Sequence, residues 1–304
     1  MGTDKSNMPK DKHAIAKKLQ SYGNKRKTSK EQYYTKAETV DTCLEKIKHL
    51  FNKDTLFLEP AGGTGEFIEG LRRCSIPDER IISFDIEPKH QMVKEGNFLE
   101  ITDLPANLLT ISNPPFGRCN SLSKKFFNHA AKYSETICFL VPKSWRKWSV
   151  HNSLDLNFHL ILDEELGKEC FYTEDNSLKN AKVLSTIFQV WQRKDVKREK
   201  IKIEDRGYLT RSTPEKGDVA IVLFGYGCGR IEEDFERVKN TTKGFFKVSN
   251  PNVITALKSV DYSQFYENTA YVRALSVKEI NYLLNEFFDK QTTGKNNGIR
   301  NDNS

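Results

Sequence analysis

The chain has 304 residues, of which 37% are hydrophobic and 29% charged, and its 19 Phe, 11 Tyr and 3 Trp exclude a disordered protein. Its net charge is +7, it has no apolar run long enough to cross a membrane, and its six cysteines form no CxxC pair of the kind that binds zinc. We therefore expect a soluble intracellular protein of the cytoplasm or nucleus, with no bound metal and no membrane contact.

The positive charge is concentrated at the N-terminus. Residues 1–30 contain nine Lys or Arg against two Asp, so the rest of the chain is formally neutral. A basic arm of this kind can neutralise the phosphates of a nucleic acid, and it can equally serve as a solubilising leader or a localisation signal. We predict a flexible arm over 1–30 and leave its role open.

Short apolar strands alternate with helices over the first two thirds of the chain. A capping box at 35–38 predicts the start of a helix, and further helices are predicted from Glu66 and from Ser123. The predicted strands are 55–58, 80–85, 108–112, 136–141, 158–162 and 184–191. This alternation predicts an α/β fold with a mostly parallel sheet that is covered on both faces.

A charged stretch at 194–204 predicts a domain boundary. Beyond it, strands at 218–224 and 245–248 and a helix at 276–288 predict a small α+β domain over 205–289, which could contact the substrate. The Gly-rich segment 224–229 is predicted to be a hairpin turn. Residues 290–304 lack apolar periodicity, and we predict a disordered tail there.

A Gly-rich turn follows the first of these strands, and acids end two of them. The turn lacks the third glycine of a dinucleotide-binding loop, because Ile68 stands there, and it lacks the Lys of a P-loop. Glu59 would repel a pyrophosphate but attract an ammonium, and Asp85 stands where a carboxylate binds ribose hydroxyls. An ammonium and a ribose without phosphates describe S-adenosylmethionine. A glycine turn with solvent-facing acids is the alternative.

A second motif, Asn113-Pro114-Pro115-Phe116, follows the strand at 108–112, at the edge where α/β sheets bind ligands. The Asn113 side-chain oxygen and the Pro114 carbonyl would accept both N–H groups of an exocyclic amine and direct its lone pair toward a methyl group. The prolines fix the backbone, and Phe116 offers a ring on which a flipped base can stack. The motif therefore indicates methylation of a base amine without a metal. An Asn-Pro turn followed by a core Phe is the alternative.

With these motifs in place, the sequence over about 30–195 resembles the class I S-adenosylmethionine-dependent methyltransferases, in particular the N6-adenine group in which the cofactor loop precedes NPPF. The segments that carry the resemblance are EPAGGTGEF, SFDIEP, GNFLE, SNPPFG and QYYTK. The resemblance implies a Rossmann-like methyltransferase domain over 31–195 with a mostly parallel seven-stranded sheet.

The resemblance also implies which residues bind the cofactor. Glu59 would face its amino group, Asp85 its ribose hydroxyls, and Thr35 its carboxylate. Ile86 would pack on the adenine of the cofactor, with Asn97 at its edge and Phe98 beside it. The other implied cofactor contacts are Tyr34, Ala61, Gly63, Gly65 and Asn113. Lys36 and Asn97 stand where the family usually has proline and aspartate, but an amide can still accept from the adenine amino group.

Basic and aromatic residues follow the strand at 136–141 and the NPPF motif. Cations could bind phosphates here, and tryptophans could stack on unpaired bases. A helix start whose tryptophans are half buried in the core, with solvated charges on a helix face, fits the same pattern. The candidate substrate-binding residues are Arg118, Lys143, Trp145, Arg146 and Lys147.

Together these features predict a site-specific DNA (adenine-N6) methyltransferase that uses S-adenosylmethionine. NPPF is shared by DNA, RNA and cap-adenosine enzymes of the family, and the variant NPPY occurs in enzymes that methylate protein glutamine. An RNA adenosine N6-methyltransferase acting on rRNA, mRNA or a cap is therefore the first alternative, and a non-catalytic nucleic-acid-binding partner is the second. DNA is the favoured partner, and the oligomeric state and target sequence stay open.

Overall fold

The computed structural model describes residues 33–172 and 184–297, with the backbone alone for 293–297. The predicted arm over 1–30 and the last residues of the predicted tail lie outside these ranges. The strands are β1 Tyr34–Thr35, β2 Phe57–Glu59, β3 Ile81–Asp85, β4 Lys94–Glu95, β5 Leu108–Ser112, β6 Ser134–Pro142, β7 Phe158–Gly167, β8 Phe171–Tyr172, β9 Thr186–Arg193, β10 Leu209–Arg211, β11 Val219–Val222, β12 Ile231–Glu232 and β13 Lys243–Val248.

Seven α-helices and five short 3-10 helices connect the strands in the described residues. The α-helices are α1 Ala37–Ile47, α2 Glu66–Arg73, α3 Ser121–Ala130, α4 Trp148–His151, α5 Asn252–Ser259, α6 Ser263–Tyr266 and α7 Val277–Asn297. The 3-10 helices are Lys48–Leu50, Asp78–Arg80, Phe98–Glu100, Arg118–Asn120 and Lys143–Arg146. None of the helices in the described ranges combines the length and apolar composition of a membrane-spanning segment.

The largest sheet has seven strands in the order β4-β3-β2-β5-β6-β9-β7. The pairs from β4 through β6 are parallel, and β9 runs antiparallel to both β6 and β7. This confirms the predicted fold class, an α/β Rossmann-like fold with a mostly parallel seven-stranded sheet. The late strand β7 continues to Gly167, beyond its predicted end, because it pairs with β9 along its whole length.

The central strands β2, β5, β6 and β9 are buried on both faces, which explains their continuous apolar runs. In β2, Phe57 packs into one core cluster and Leu58 into the other, as the period of two requires. The first cluster includes Val40 of α1 and Phe67 of α2, and the second includes Phe127 of α3. Helices therefore cover both faces of the sheet and leave its carboxyl edge to the loops.

The chain order opens a crevice at this carboxyl edge. From β2 the chain moves to β3 on one side, and it later returns to β5 on the other side of β2. The loops after β2 and β5 diverge at such a switch point, which is where open α/β sheets bind ligands. Glu59 ends β2 and Asn113 follows β5, so the two predicted motifs lie on either side of the crevice.

Residues beyond 205 form a second sheet of four antiparallel strands in the order β10-β13-β11-β12. Helices α5 and α7 pack on it through a third core cluster that contains Leu257, Ile280 and Leu284. The Gly-rich segment 224–229 joins β11 to β12, which confirms the predicted hairpin. Residues 194–208 contain no helix or strand, in agreement with a linker, but the domain boundaries remain a prediction.

The predicted capping box is wrong. Lys36, not Thr35, is the N-cap of α1, and it makes no side-chain capping bond. Thr35 is in extended conformation because it pairs with Phe171 in the ribbon of β1 and β8.

The predicted start of the disordered tail is also wrong, since α7 continues to Asn297. No proline interrupts this segment, and the Thr292 hydroxyl donates to the carbonyl of Phe288, 3.0 Å away, one helical turn earlier.

Candidate active site

The Gly-rich loop after β2 is fixed against the end of β3. The Gly63 N–H donates to Asp85 Oδ2 at 2.9 Å. Gly65 has φ of +83°, and a Cβ there would lie 2.5 Å from the ring of His90. The loop therefore requires glycine at this position, because a side chain would be strained and would displace His90.

Glu59 has a buried carboxyl group at the floor of the crevice, with only 2% of its surface exposed. The Ser112 hydroxyl donates to Glu59 Oε1 at 2.6 Å, while Oε2 is buried and has no hydrogen-bond partner among the described residues. Burial raises the pKa of Glu59 well above its ordinary value, and the bond from Ser112 opposes the shift. A buried carboxyl with one unused oxygen suits a cationic donor such as an ammonium group.

Asp85 ends β3 at the same edge. Its Oδ1 accepts from the Glu87 N–H at 2.8 Å, and its Oδ2 is the acceptor for Gly63. Each carboxylate oxygen can accept a second hydrogen bond, so both can still bind a hydroxyl. The neighbouring side chain of Ile86 is 57% exposed. An acid beside an exposed apolar side chain suits a ribose joined to a planar base.

Asn113 lies on the other side of the crevice, directly after β5. Its Nδ2 donates to the carbonyl of Tyr33 at 2.7 Å. Its Oδ1 is buried and has no hydrogen-bond partner within the described part of the chain. Buried polar atoms are nearly always paired, so an unpaired acceptor at a strand end marks a place for a donor group.

Phe116 does not offer an open face to a base in this structure. Its ring is buried, with Tyr33 stacked on it at 6.2 Å between ring centroids and Phe171 edge-on at 6.2 Å. A base that stacks on Phe116 must therefore take the place of the Tyr33 ring.

The residues before α1 lie against the glycine loop that follows β2. A Cβ on Gly63 would lie 3.3 Å from the ring of Tyr34, so this ring packs directly against the loop. The ammonium group of Lys89 lies over the Tyr34 ring, with Nζ 4.9 Å from the ring centroid. Thr35 is buried one residue further on. Ala61 is partly buried in the loop itself.

The predicted adenine contacts are brought together only in part. The Gly96 N–H donates to the Asp85 carbonyl at 2.9 Å, which places Asn97 near the end of β3. The oxygen of Asn97 accepts from the Leu99 N–H at 3.2 Å, and its amide donates to Glu100 at 2.7 Å. Phe98 is buried in the second core cluster, so its ring keeps no exposed face for a cofactor.

The predicted substrate rim after β6 is not a free cationic surface. Trp145 is fully buried and donates to the Ser123 hydroxyl, so the alternative of a core tryptophan is correct. The three cations pair with acids of the same chain: Lys143 with Glu165 at 2.8 Å, Arg146 with Asp163 at 2.8 Å and Glu165 at 2.6 Å, and Lys147 with Glu279 at 2.7 Å.

Arg118, two residues after the NPPF motif, differs from these four residues because it is exposed.

Three residues of the site lie outside the sequence prediction. Ser112 binds the buried Glu59, Tyr33 binds Asn113 and covers Phe116, and His90 packs on the glycine loop. Ser112 had a recognisable signal, because a hydroxyl at the end of an otherwise apolar strand points to a buried polar partner. Within the described residues, no three His, Cys, Asp or Glu side chains are grouped as a metal site.

Solved structures of methyltransferases are similar to this chain. A Listeria monocytogenes protein, provisionally assigned as a class I S-adenosylmethionine-dependent methyltransferase, has 16% identity and a TM-score of 0.41 over 63% of this chain and 69% of its own. The M protein of the type I restriction enzyme EcoKI has 14% identity and a TM-score of 0.44 over 86% of this chain and 71% of its own.

The 23S rRNA methyltransferase ErmE has 14% identity and a TM-score of 0.39, over 55% of this chain and 71% of its own. No protein-family model matches the sequence, and the comparison with curated proteins gives no significant match.

Proposed function

We propose that the chain transfers the methyl group of S-adenosylmethionine to the exocyclic N6 amine of adenine in a nucleic acid, with DNA as the favoured polymer. The observation that carries this proposal is the buried, unpartnered oxygen of Asn113, held at the end of β5 by the bond from its own amide to the Tyr33 carbonyl. Such an acceptor suits the N–H of a planar amine and offers nothing to a phosphate or a carboxylate.

The crevice fits the cofactor at three points. The unused Oε2 of Glu59 suits the cofactor ammonium. The carboxylate of Asp85 has capacity for two ribose hydroxyls, and the exposed Ile86 suits the adenine ring. Gly63 and Gly65 of the loop have no side chains, so the loop backbone can approach a ligand closely.

The chain's own residues act on the amine. The bound cofactor supplies a methyl group on a positively charged sulfur. Asn113 Oδ1 accepts one N–H of the amine, and the Pro114 carbonyl accepts the other, so the nitrogen lone pair is directed away from the ring and toward the methyl group. Transfer forms the bond between the nitrogen and the methyl carbon as the bond between that carbon and sulfur breaks, and the methylated amine then loses one proton to water. Positive charge develops on the nitrogen during transfer, so both acceptors bind its N–H groups more strongly in the transition state than before it.

Label transfer tests the proposal directly. The purified protein is incubated with S-adenosylmethionine labelled in its methyl group and, in parallel, with duplex DNA, single-stranded DNA, RNA or a protein mixture. The products are digested, and the labelled compound is identified by mass spectrometry. We expect N6-methyladenine nucleoside, most abundant from DNA.

The other outcomes separate the alternatives. N6-methyladenosine from RNA alone would move the substrate from DNA to RNA and keep the chemistry. A labelled glutamine, or another modified base, would overturn the adenine assignment. Cofactor binding without label in any polymer would favour a non-catalytic partner.

A further inference from the structure

Two loops of the C-terminal part expose aromatic side chains at one place. Phe224 and Tyr226 lie in the connection between β11 and β12, where Tyr226 is 100% and Phe224 50% exposed. Tyr271 and Val272 lie between α6 and α7 and are also exposed. These residues are four of the nine large apolar side chains exposed in the described chain. We call the four residues the aromatic loop surface.

The two loops are joined to each other through the backbone. Phe224 and Ala274 form an antiparallel bridge, and the Gly225 N–H donates to the Arg273 carbonyl at 2.9 Å. Gly225 has φ of +87° and open space around its Cβ position, so it turns the chain outward just before Tyr226. The aromatic loop surface is therefore a fixed feature with a projecting ring.

The surface is fastened at the carboxyl edge of the large sheet. Lys147 Nζ donates to the Ala274 carbonyl at 3.1 Å and to Glu279 at 2.7 Å. The Ser185 N–H donates to the Ala270 carbonyl at 3.1 Å, and Ser185 in turn accepts from the Lys143 N–H at the end of β6.

Ala270 also packs against the apolar cluster that contains Phe116. The loops thus lie on the side of the sheet that carries the NPPF motif.

We propose that the aromatic loop surface binds unpaired bases of the nucleic-acid strand that carries the target adenine; this inference rests on the proposed function. Exposed tyrosine and phenylalanine rings stack on any base, because every base has a π face. Arg230 and Arg273 lie in the same loops, about half exposed, in ion pairs with Glu232 and Glu267. The Arg273–Glu267 pair is about half exposed on both sides and holds its partner weakly, so a phosphate can compete for Arg273. Arg230 shares Glu232 with Lys243, and its own side chain is 58% exposed.

The aromatic loop surface replaces the predicted rim at 143–147 as the substrate contact. The cations of that rim are engaged with acids, and its tryptophan is in the core. A base flipped from a duplex leaves an unpaired partner and destacked neighbours, and these are the groups that aromatic side chains can receive.

Fluorescence anisotropy with short labelled oligonucleotides tests the inference. Single-stranded DNA, single-stranded RNA and duplex DNA of one sequence serve as probes for the wild type, Tyr226→Ala and the double variant with Phe224→Ala. Loss of one stacking ring should raise the Kd for the single-stranded probes about fivefold to hundredfold. Tyr226→Phe keeps the ring and should retain wild-type affinity.

Val196→Ala is the matched control, since Val196 is an exposed apolar residue beyond β9 at the opposite edge of the sheet. It should leave the Kd unchanged, and none of the variants should alter cofactor affinity measured by calorimetry.

A wild-type Kd for the double variant would overturn the inference while leaving the proposed function in place. A wild-type protein that transfers label to no nucleic acid would instead overturn the proposed function. The ratio of the DNA and RNA affinities shows which polymer the surface prefers.

Discussion

Glu59 needs a cationic partner before its buried carboxyl group can ionise, and its position at a strand end reveals this only in part. Its carboxyl group lies out of water, with Ser112 on one oxygen and an unpaired second oxygen, so ionisation is unfavourable until a cation arrives. Burial accordingly holds the pKa of Glu59 well above its ordinary value. Cofactor binding is thereby linked to loss of this proton, and affinity for a cationic ligand should rise with pH.

Glu59→Gln tests this linkage. Because the folded state holds the Glu59 proton more tightly than the unfolded state, the free energy of unfolding falls as the pH rises from the ordinary glutamate pKa through the raised one. The variant has no carboxyl to ionise, so its melting temperature should exceed that of the wild type at about pH 8 and approach it near about pH 4.

The same variant should bind the cofactor about tenfold to hundredfold more weakly at high pH, because it loses a charge-assisted hydrogen bond. Calorimetry across this pH range measures the loss. Glu79→Gln, at an exposed glutamate before β3, is the control and should change neither property. Equal cofactor affinity of Glu59→Gln and wild type would remove Glu59 from the site.

At the scale of elements, local patterns predicted most of the strands because a strand buried on both faces must be apolar throughout. They failed where a distant partner decides the outcome. The charged segment at 143–147 reads as a nucleic-acid rim, but Glu165 and Glu279 neutralise it. These acids come from β7 and α7, and no local spacing reveals that they meet the lysines and arginine.

The positions of the main site residues were predictable from the sequence, but the contacts made by distant segments were not. The order of Glu59, Asp85 and Asn113 along the chain is enough to place them at one sheet edge, since the carboxyl ends of parallel strands meet there. The covering of Phe116 by Tyr33 was not predictable, because the segment before α1 reaches the site only through the pairing of β1 with β8.

The bond network of Lys147 fastens the second sheet to the first. Its ammonium binds Glu279 and the carbonyls of Phe265 and Ala274, and Glu279 is 3% exposed. Lys147→Met leaves this carboxylate buried without its cation, which typically costs about 3–5 kcal/mol. Urea unfolding should show a loss of this size.

Lys258→Met provides a matched control, since Lys258 pairs with Glu233 at the surface, where both side chains are about half exposed. Its free energy of unfolding, measured in urea in the same way, should stay almost unchanged. If the two variants were equally stable, the Lys147 pair would not hold the two sheets together.

At the scale of the whole molecule, the net positive charge lies in the N-terminal segment, and the rest of the chain is formally neutral. Residues 1–30 carry the entire basic excess. Their deletion should flatten the dependence of nucleic-acid affinity on salt, because each phosphate contact contributes to that slope, and it should leave cofactor affinity unchanged. Oligonucleotide binding measured over a series of salt concentrations tests this, and an identical slope for the truncated protein would show that the arm does not contact nucleic acid.

The central claim, that Asn113 holds the amine during methyl transfer, is tested by the single-turnover rate of Asn113→Ala. We expect this rate to fall about 10²–10³-fold, because one preorganised acceptor is lost in the transition state. Asn52→Ala, at a side chain that binds the Asp54 N–H before β2 at the opposite edge of the sheet, should retain the wild-type rate. A folded Asn113→Ala protein that binds cofactor and methylates adenine at the wild-type rate would contradict the account.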